Sequence, residues 1–208
     1  MEKHLLMMGF MSAIVLVSVQ VHSREFVQCG GSGHHDSGRH EGGRHEGGRQ
    51  VEKQECSWTD SQSNRQIPQF SVKFEHDGTS STETVFICRD LGHVLGRLVN
   101  GICYTSWYGR EFANKRFQVL TMASQNYRWE VATERIDLYG ATEQTDKYLV
   151  KGSYESGFNT YVCGVTDGHG VLRAGKLLNG YCWYGAGGRE RSYPLASGRV
   201  HVLFYTES

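Results

Sequence analysis

The residues best able to do chemistry in this 208-residue chain are its ten histidines and six cysteines, and their spacing limits what they can do. Cys29, Cys56, Cys88, Cys103, Cys163 and Cys182 include no Cys-x-x-Cys pair, which argues against a zinc ribbon and against a thioredoxin-type redox site. An even count in an oxidising compartment reads instead as three disulfides, with the 15 pairings that six cysteines allow still open. Four histidines, His34, His35, His40 and His45, lie in the tract GGSGHHDSGRHEGGRHEGGRQ, which has no apolar residue and cannot build a core. Their neutral imidazoles could ligate Zn²⁺, Cu²⁺ or Ni²⁺ weakly. The competing reading is a solvated Gly-rich spacer that gains charge below about pH 6.5. The other histidines downstream, His76, His93, His169 and His201, fall singly. There is no Gly-x-Ser-x-Gly elbow, no His-Glu-x-x-His and no phosphate loop, so the expectation is a protein that is not an enzyme and needs no cofactor.

The elements that must position any site are strands and turns. With 26 Gly in 208 residues a helical bundle is disfavoured, since each Gly in a helix interior costs roughly 0.8–1 kcal/mol relative to Ala. Hydrophobic residues at 38% suffice for a core. Twenty-two basic residues balance 22 acidic ones, leaving no field to hold a nucleic acid or an anionic membrane. Residues 1–23 read as a secretory signal peptide, with Lys3 and His4, an apolar stretch from Leu5 to Val17, and a small residue, Ser23, at the cut. The stretch falls short of the roughly 20 residues a bilayer needs, so no membrane insertion is expected and the mature chain would begin at Arg24, secreted to the extracellular side.

Beyond the His/Gly-rich segment, taken as residues 24–56, the chain repeats itself. Phe86-Ile87-Cys88, then Gly96 to Tyr104, then Tyr108-Gly109-Arg110-Glu111 form one copy; Tyr161-Val162-Cys163, then Gly175 to Trp183, then Gly187-Gly188-Arg189-Glu190 form the other. Trp58 and Trp129 open copies placed at 57–124 and 125–208. Short aromatic and β-branched runs, 84–88, 117–122, 128–133, 148–152, 160–165 and 199–205, read as strands, and Asp77-Gly78, Asn100-Gly101, Asp167-Gly168 and Asn179-Gly180 read as hairpin turns. The expected fold is all-β: two tandem pseudo-symmetric antiparallel repeats forming one disulfide-stabilised domain. Since Cys88 matches Cys163 and Cys103 matches Cys182, the symmetric solution pairs Cys88 with Cys103 and Cys163 with Cys182, leaving Cys29 with Cys56; crossed pairing between copies stays open.

Six short motifs recur in this order: Trp58, Ile67-Pro68, Phe86 to Asp90, Leu95-Gly96-Arg97, Tyr108 to Glu111 and Phe117 to Leu120, answered in the second copy by Trp129, Tyr161 to Val165, Ala174-Gly175-Lys176, Gly187 to Glu190 and His201 to Leu203. The pattern resembles the DM-nine repeat family of tandem-repeat β lectins, which includes mannose-binding mollusc lectins and the lectin part of natterin-like proteins. Pro is missing here from both of the family's Pro-Gly-Lys turns, Arg replaces Lys at three of four basic positions, and the second copy lacks Ile-Pro. The resemblance implies carbohydrate recognition of mannose-type glycans, in immune or cell-surface recognition. It implies that an acidic residue after Ile-Pro and the basic residue of Pro-Gly-Lys hold sugar hydroxyls. Counting from Pro68 places Asp77 and Arg97 in these roles in the first copy; in the second, Lys176 matches and Glu155 is the acidic partner.

That assignment is chemically sensible, because a carboxylate beside a cation satisfies vicinal hydroxyls with charge-assisted hydrogen bonds. Trp107, Tyr108 and Trp183, with Tyr104 and Tyr184, would supply aromatic faces for the sugar's C–H face. The bland alternative is that the charged residues are surface pairs worth under about 1 kcal/mol and the aromatics are core. Arg110, Glu111, Arg189 and Glu190 read first as structural, with sugar contact as their other role. Two sites per chain, or a homodimer, would supply the avidity that weak single sites lack. The function class that competes with a lectin is a secreted metal-binding or structural protein that uses the His tract.

Overall fold

The structure, a computed structural model, describes residues 27–31, 56–75, 83–132 and 147–206. Two short strands, β1 (Val27–Gln28) and β2 (Gly30–Gly31), precede the repeats. The first repeat runs through β3 (Cys56–Gln62), β4 (Lys73–Phe74), β5 (Val85–Asp90), β6 (Leu95–Val99), β7 (Ile102–Trp107), β8 (Arg110–Asn114) and β9 (Arg116–Met122). The second runs through β10 (Tyr127–Val131), β11 (Lys147–Glu155), β12 (Phe158–Thr166), β13 (Leu172–Leu178), β14 (Tyr181–Ala186), β15 (Arg189–Pro194) and β16 (Val200–Thr206). Among the described residues the only helical pieces are 3₁₀ turns at Ser124–Asn126 and Leu195–Ser197.

Pairing follows the same plan in both repeats. Trp58 on β3 lies opposite Leu120 on β9, and Trp129 on β10 opposite Leu203 on β16, so each repeat's first strand closes on its last. The series β5–β6–β7–β8 is matched by β12–β13–β14–β15, and the two series meet where Arg110 on β8 pairs with Arg189 on β15. Nearly all pairings are antiparallel; the exceptions are β1 on β11 and β2 on β3. Residues 27–31 thus reach from the edge of one repeat to the edge of the other.

Two-residue turns whose central residues both have positive φ match the right-handed twist of hairpin strands, which is why Asn-Gly is favoured there. Asn100-Gly101 (φ 50° and 75°) joins β6 to β7 and Asn179-Gly180 (φ 51° and 78°) joins β13 to β14, as their sequences predict. Asp167-Gly168 behaves differently: it begins a five-residue loop, 167–171, rather than a tight hairpin. There Asp167 Oδ1 accepts the N–H groups of His169 (2.9 Å) and Val171 (3.1 Å), and Arg173 donates to Oδ2 at 3.0 Å. Asp90 makes the equivalent clamp in the first repeat, accepting from Val94 N–H at 2.9 Å and Thr105 at 3.2 Å. A second departure concerns Gly96-Arg97 and Gly175-Lys176. Where the family pattern implies a turn, both pairs sit inside strands β6 and β13. A Cβ on Gly96 would collide with the Tyr104 carbonyl, and one on Gly175 with the Trp183 carbonyl, so these glycines let neighbouring strands approach closely.

The disulfides are Cys29–Cys56, Cys88–Cys103 and Cys163–Cys182, the symmetric solution. With sequence separations of 27, 15 and 19 residues, each is worth about 3 kcal/mol in the chain-entropy model. One core cluster joins Trp58, Phe74, Ile87 and Leu95 of the first repeat to Val150, Val162, Leu172 and Leu203 of the second, so the repeats share a common interior. Two smaller clusters surround Cys88–Cys103 and Cys163–Cys182 within the separate repeats.

Two expectations follow. Gly175→Ala should lower the unfolding free energy by about 1–3 kcal/mol in urea titration, because the methyl group must push β13 from β14. Burial alone would raise the Asp167 carboxyl, but the N–H groups of His169 and Val171 and then Arg173 hold it below the ordinary aspartate value. The stability it contributes is therefore complete above about pH 4 and is lost as pH falls through the depressed folded value. Thermal melts from pH 7 to pH 2 should show Asp167→Asn less stable at neutral pH by about 1–2 kcal/mol, with the gap to wild type closing in acid.

Candidate functional site

The hairpins β7–β8 and β14–β15 end in facing tips, Tyr108-Gly109 (φ 45° and 78°) and Gly187-Gly188 (φ 63° and 78°). Each tip presents a backbone N–H toward the other repeat. Glu111 Oε2 accepts from Gly188 N–H at 2.8 Å, and Glu190 Oε2 accepts from Gly109 N–H at 2.9 Å. The backbone reinforces the cross, with Glu111 N–H donating to the Gly188 carbonyl (3.2 Å) and Glu190 N–H to the Gly109 carbonyl (3.1 Å). Gly185 leaves room for this: its Cβ would lie 2.6 Å from Glu111 Cγ. The Arg-Glu pairs of the repeated motif thus have divided roles. Glu111 and Glu190 lace the repeats together, while Arg110 and Arg189 lie opposite each other, exposed, and form no ion pair among the described residues.

The remaining oxygens of these glutamates face the basic residues of the inner strands. Arg97 Nη2 donates to Glu111 Oε1 at 2.9 Å, both side chains being about nine-tenths buried, and its guanidinium lies 4.6 Å from the Tyr104 ring centroid. Burial, then repulsion from Arg173, lowers the Arg97 pKa against the opposing pull of Glu111 and Glu83. Lys176, with only 3% of its side chain exposed, lies 3.5 Å from Glu190 Oε1. It donates to both oxygens of Glu155 at 2.8 Å and to the Ser106 carbonyl at 3.0 Å. An ammonium has three protons, and these three acceptors occupy them.

Glu155 and Lys176, the acid–base pair assigned to the second repeat, are therefore together, but their parts are unequal. Lys176 is a buried strut between repeats, and Glu155, 16% exposed, is the member that reaches solvent. In the first repeat Arg97 is likewise buried, and Asp77 lies outside the described residues, as do His34, His35, His40 and His45. Trp107 and Tyr108 are exposed on the β7–β8 tip with ring centroids 4.5 Å apart. Trp183 is half-buried, its indole N–H donating to the Leu178 carbonyl at 3.3 Å, and Tyr184 is core, stacked on Tyr193. Tyr154 and Phe158, on either side of the β11–β12 turn and exposed at 66% and 50%, are aromatic surface that the motif pattern does not point to. The Ser106 carbonyl was invisible for a different reason: a backbone acceptor has no residue-type signature. No three His, Cys, Asp or Glu side chains among the described residues gather into a metal-holding group.

No family model and no curated protein matches this sequence. Among solved structures it is similar to the crystal structure of the nematode sperm cell motility protein MFP2B, with a TM-score of 0.54 and 16% identity. The match covers 74% of this chain and 47% of that one, so the chain spans about half of that protein's length. At this identity the likeness concerns the fold.

Removing one partner of a buried ionic group leaves the others uncompensated. Lys176→Met should lower the unfolding free energy by about 3–5 kcal/mol in denaturant titration, since Glu155 and Glu190 would both lose their cation, whereas Arg110→Ala and Arg189→Ala should each change it by less than about 0.5 kcal/mol.

Proposed function

We propose that this is a secreted carbohydrate-binding protein that recognises mannose-type glycans, in immune or cell-surface recognition. The observation that carries the reading is the Glu155 carboxylate, held by two hydrogen bonds from Lys176 while remaining partly open to solvent. A carboxylate fixed in this way accepts from two neighbouring sugar hydroxyls at little ordering cost. Exposed aromatics lie close by: Phe158 pairs with it across the turn, and Trp107 follows Ser106, which shares the Lys176 ammonium. Aromatic faces of this kind pack on the apolar face of a hexose. The resemblance of the repeated motifs to the DM-nine lectins supports the same ligand class, and three disulfides fit an oxidising, extracellular setting.

In this reading the Lys176 charge replaces the calcium ion that other lectins use, so EDTA leaves binding intact. The first repeat would contribute a second site through Asp77 beside Arg97, and two weak sites per chain, or a homodimer, raise avidity on a multivalent glycan. Lys176→Ala is a poor test, because it undermines the fold. Glu155→Gln is the better one, since the amide keeps the side chain's shape and one acceptor oxygen.

A glycan array on residues 24–208, with and without EDTA, should show EDTA-resistant binding to mannose-rich glycans. Glu155→Gln should weaken it at least tenfold, with a lowered melting temperature but a folded chain by circular dichroism, since the amide leaves Lys176 one acceptor short. Failure to bind any glycan would overturn the sugar assignment and favour a metal-binding or structural role for the His tract, read by Zn²⁺ titration of the chain with and without residues 30–50.

A further inference from the structure

A cleft of about 450 Å³ opens between the repeats on strand β11, lined by Gln28, Trp58, Arg89, His93, Lys151 and Tyr154 among others. Among the described residues that line it there is no Asp or Glu. Arg89 forms its floor, more than nine-tenths buried, with its guanidinium carbon 4.3 Å from the Trp58 ring centroid. Its Nε donates to Gln118 Oε1 at 2.7 Å and its Nη1 to the Gly152 carbonyl at 3.1 Å. Both acceptors are neutral. Among the described residues no carboxylate lies within ion-pairing distance of Arg89, and Nη2 donates to none of them and keeps access to solvent. Burial pushes the guanidinium down to about 10, against the distant pull of Asp60.

The fold does not require a cation here, as the corresponding crossing in the other repeat shows. Lys73 and Lys151 face the equivalent residues Phe86 and Tyr161. The next residue is Phe74 in the first repeat and Gly152 in the second. The Phe74 ring fills the space over Gly164, whereas Gly152 is covered by Leu95 and by the guanidinium of Arg89. Arg89 and Gly164 each follow the cysteine of their repeat's disulfide. One crossing is thus closed by a phenyl ring on a glycine, and the other is floored by an incompletely paired cation under an open cleft.

We propose that this cleft is a second ligand site, specific for the carboxylate or sulfate of an acidic saccharide. The oxyanion would sit on Arg89 Nη2, with Lys151 on the wall supplying a second positive charge and Tyr154 at the rim stacking on the sugar ring. Arg favours such a role because its fork keeps one edge free while the other edge is bound to protein. The His93 imidazole, lowered by burial and then by Arg89, is neutral at pH 7 and serves as a polar wall. Tyr154 faces this cleft while Glu155 beside it turns to Lys176, so the acidic-sugar site and the neutral-sugar site proposed above lie on the two sides of one strand end. The inference extends the carbohydrate reading, but the two sites are separable by variant.

The test is calorimetric titration of the full mature chain with galactose 6-sulfate, glucuronic acid, galactose and sodium sulfate. Saturable binding of the two acidic sugars, at least tenfold tighter than galactose or sodium sulfate, is expected. Lys151→Ala should weaken it about tenfold and Arg89→Lys by at least that, with Glu155→Gln without effect. Acidic sugars binding no better than galactose, or surviving both cleft variants unchanged, or depending on Glu155, would overturn the site. Sodium sulfate binding as tightly as the sulfated sugar would overturn the saccharide assignment. Arg89→Gln is informative if it folds; if it does not, Lys151→Ala and Arg89→Lys decide.

Discussion

The structure depends on the crossed contact in which Glu111 of one repeat binds the Gly188 N–H of the other and Glu190 returns the contact to Gly109. The facing hairpin tips are exposed, so their N–H groups would otherwise bond water, and a charge-assisted bond across the repeats turns that exchange into a fixed contact. A carboxylate from the opposite hairpin answers each donor. Burying those carboxylates then calls for cations beneath them, and Arg97 and Lys176 occupy those places. Gly185 follows as well, since a side chain there would displace Glu111. The repeated Arg-Glu and Gly-Lys or Gly-Arg motifs are in this sense one device seen twice, and the device joins the repeats rather than completing either one.

The same device also orders a neighbouring carboxylate. Lys176 faces Glu190 and still has donors for Glu155 and Ser106, and the stiffness of the joint is passed to the one carboxylate that reaches solvent. A side chain with a fully committed ammonium behind it is already ordered before any ligand arrives, which is the condition under which a weak polar ligand gains most from each hydrogen bond. The repeats are symmetric in backbone and unequal in chemistry. At their shared core the pseudo-symmetric crossings carry Phe74 over Gly164 on one side and Arg89 by Gly152 on the other, so the apolar interior is continuous while one face of it is cationic.

Several of these features were legible in residue order. Asn100-Gly101 and Asn179-Gly180 specify tight hairpins because both central residues must adopt positive φ, and the structure has them. Matching cysteines predict the observed within-repeat disulfides. Gly96 and Gly175 misled, because the family's Pro-Gly-Lys pattern implies a turn, whereas here each glycine answers a close strand approach that no local pattern encodes. Asp167-Gly168 misled in the opposite sense: the aspartate caps a longer loop with its own side chain. Glu155 was assigned through the family resemblance, but nothing in that resemblance reveals which of Glu155 and Lys176 is buried.

The sequence by itself determined the all-β character, the doubled plan and the Asn-Gly hairpin turns, because each is set by residues close in the chain or by comparison of the two copies; it made the symmetric disulfides the simplest pairing, and the structure selected them. Tertiary structure alone decided that Lys176 is a buried strut and Glu155 its partly exposed partner, that Glu111 and Glu190 serve the opposite repeat, and that Arg89 lies under a cleft with no carboxylate of the described chain beside it. The physical reason is that the state of a charge depends on what is packed over it, and here the covering groups, Ser106 for Lys176, Gly188 for Glu111 and Gly152 for Arg89, come from the other repeat, 63 to 77 residues away.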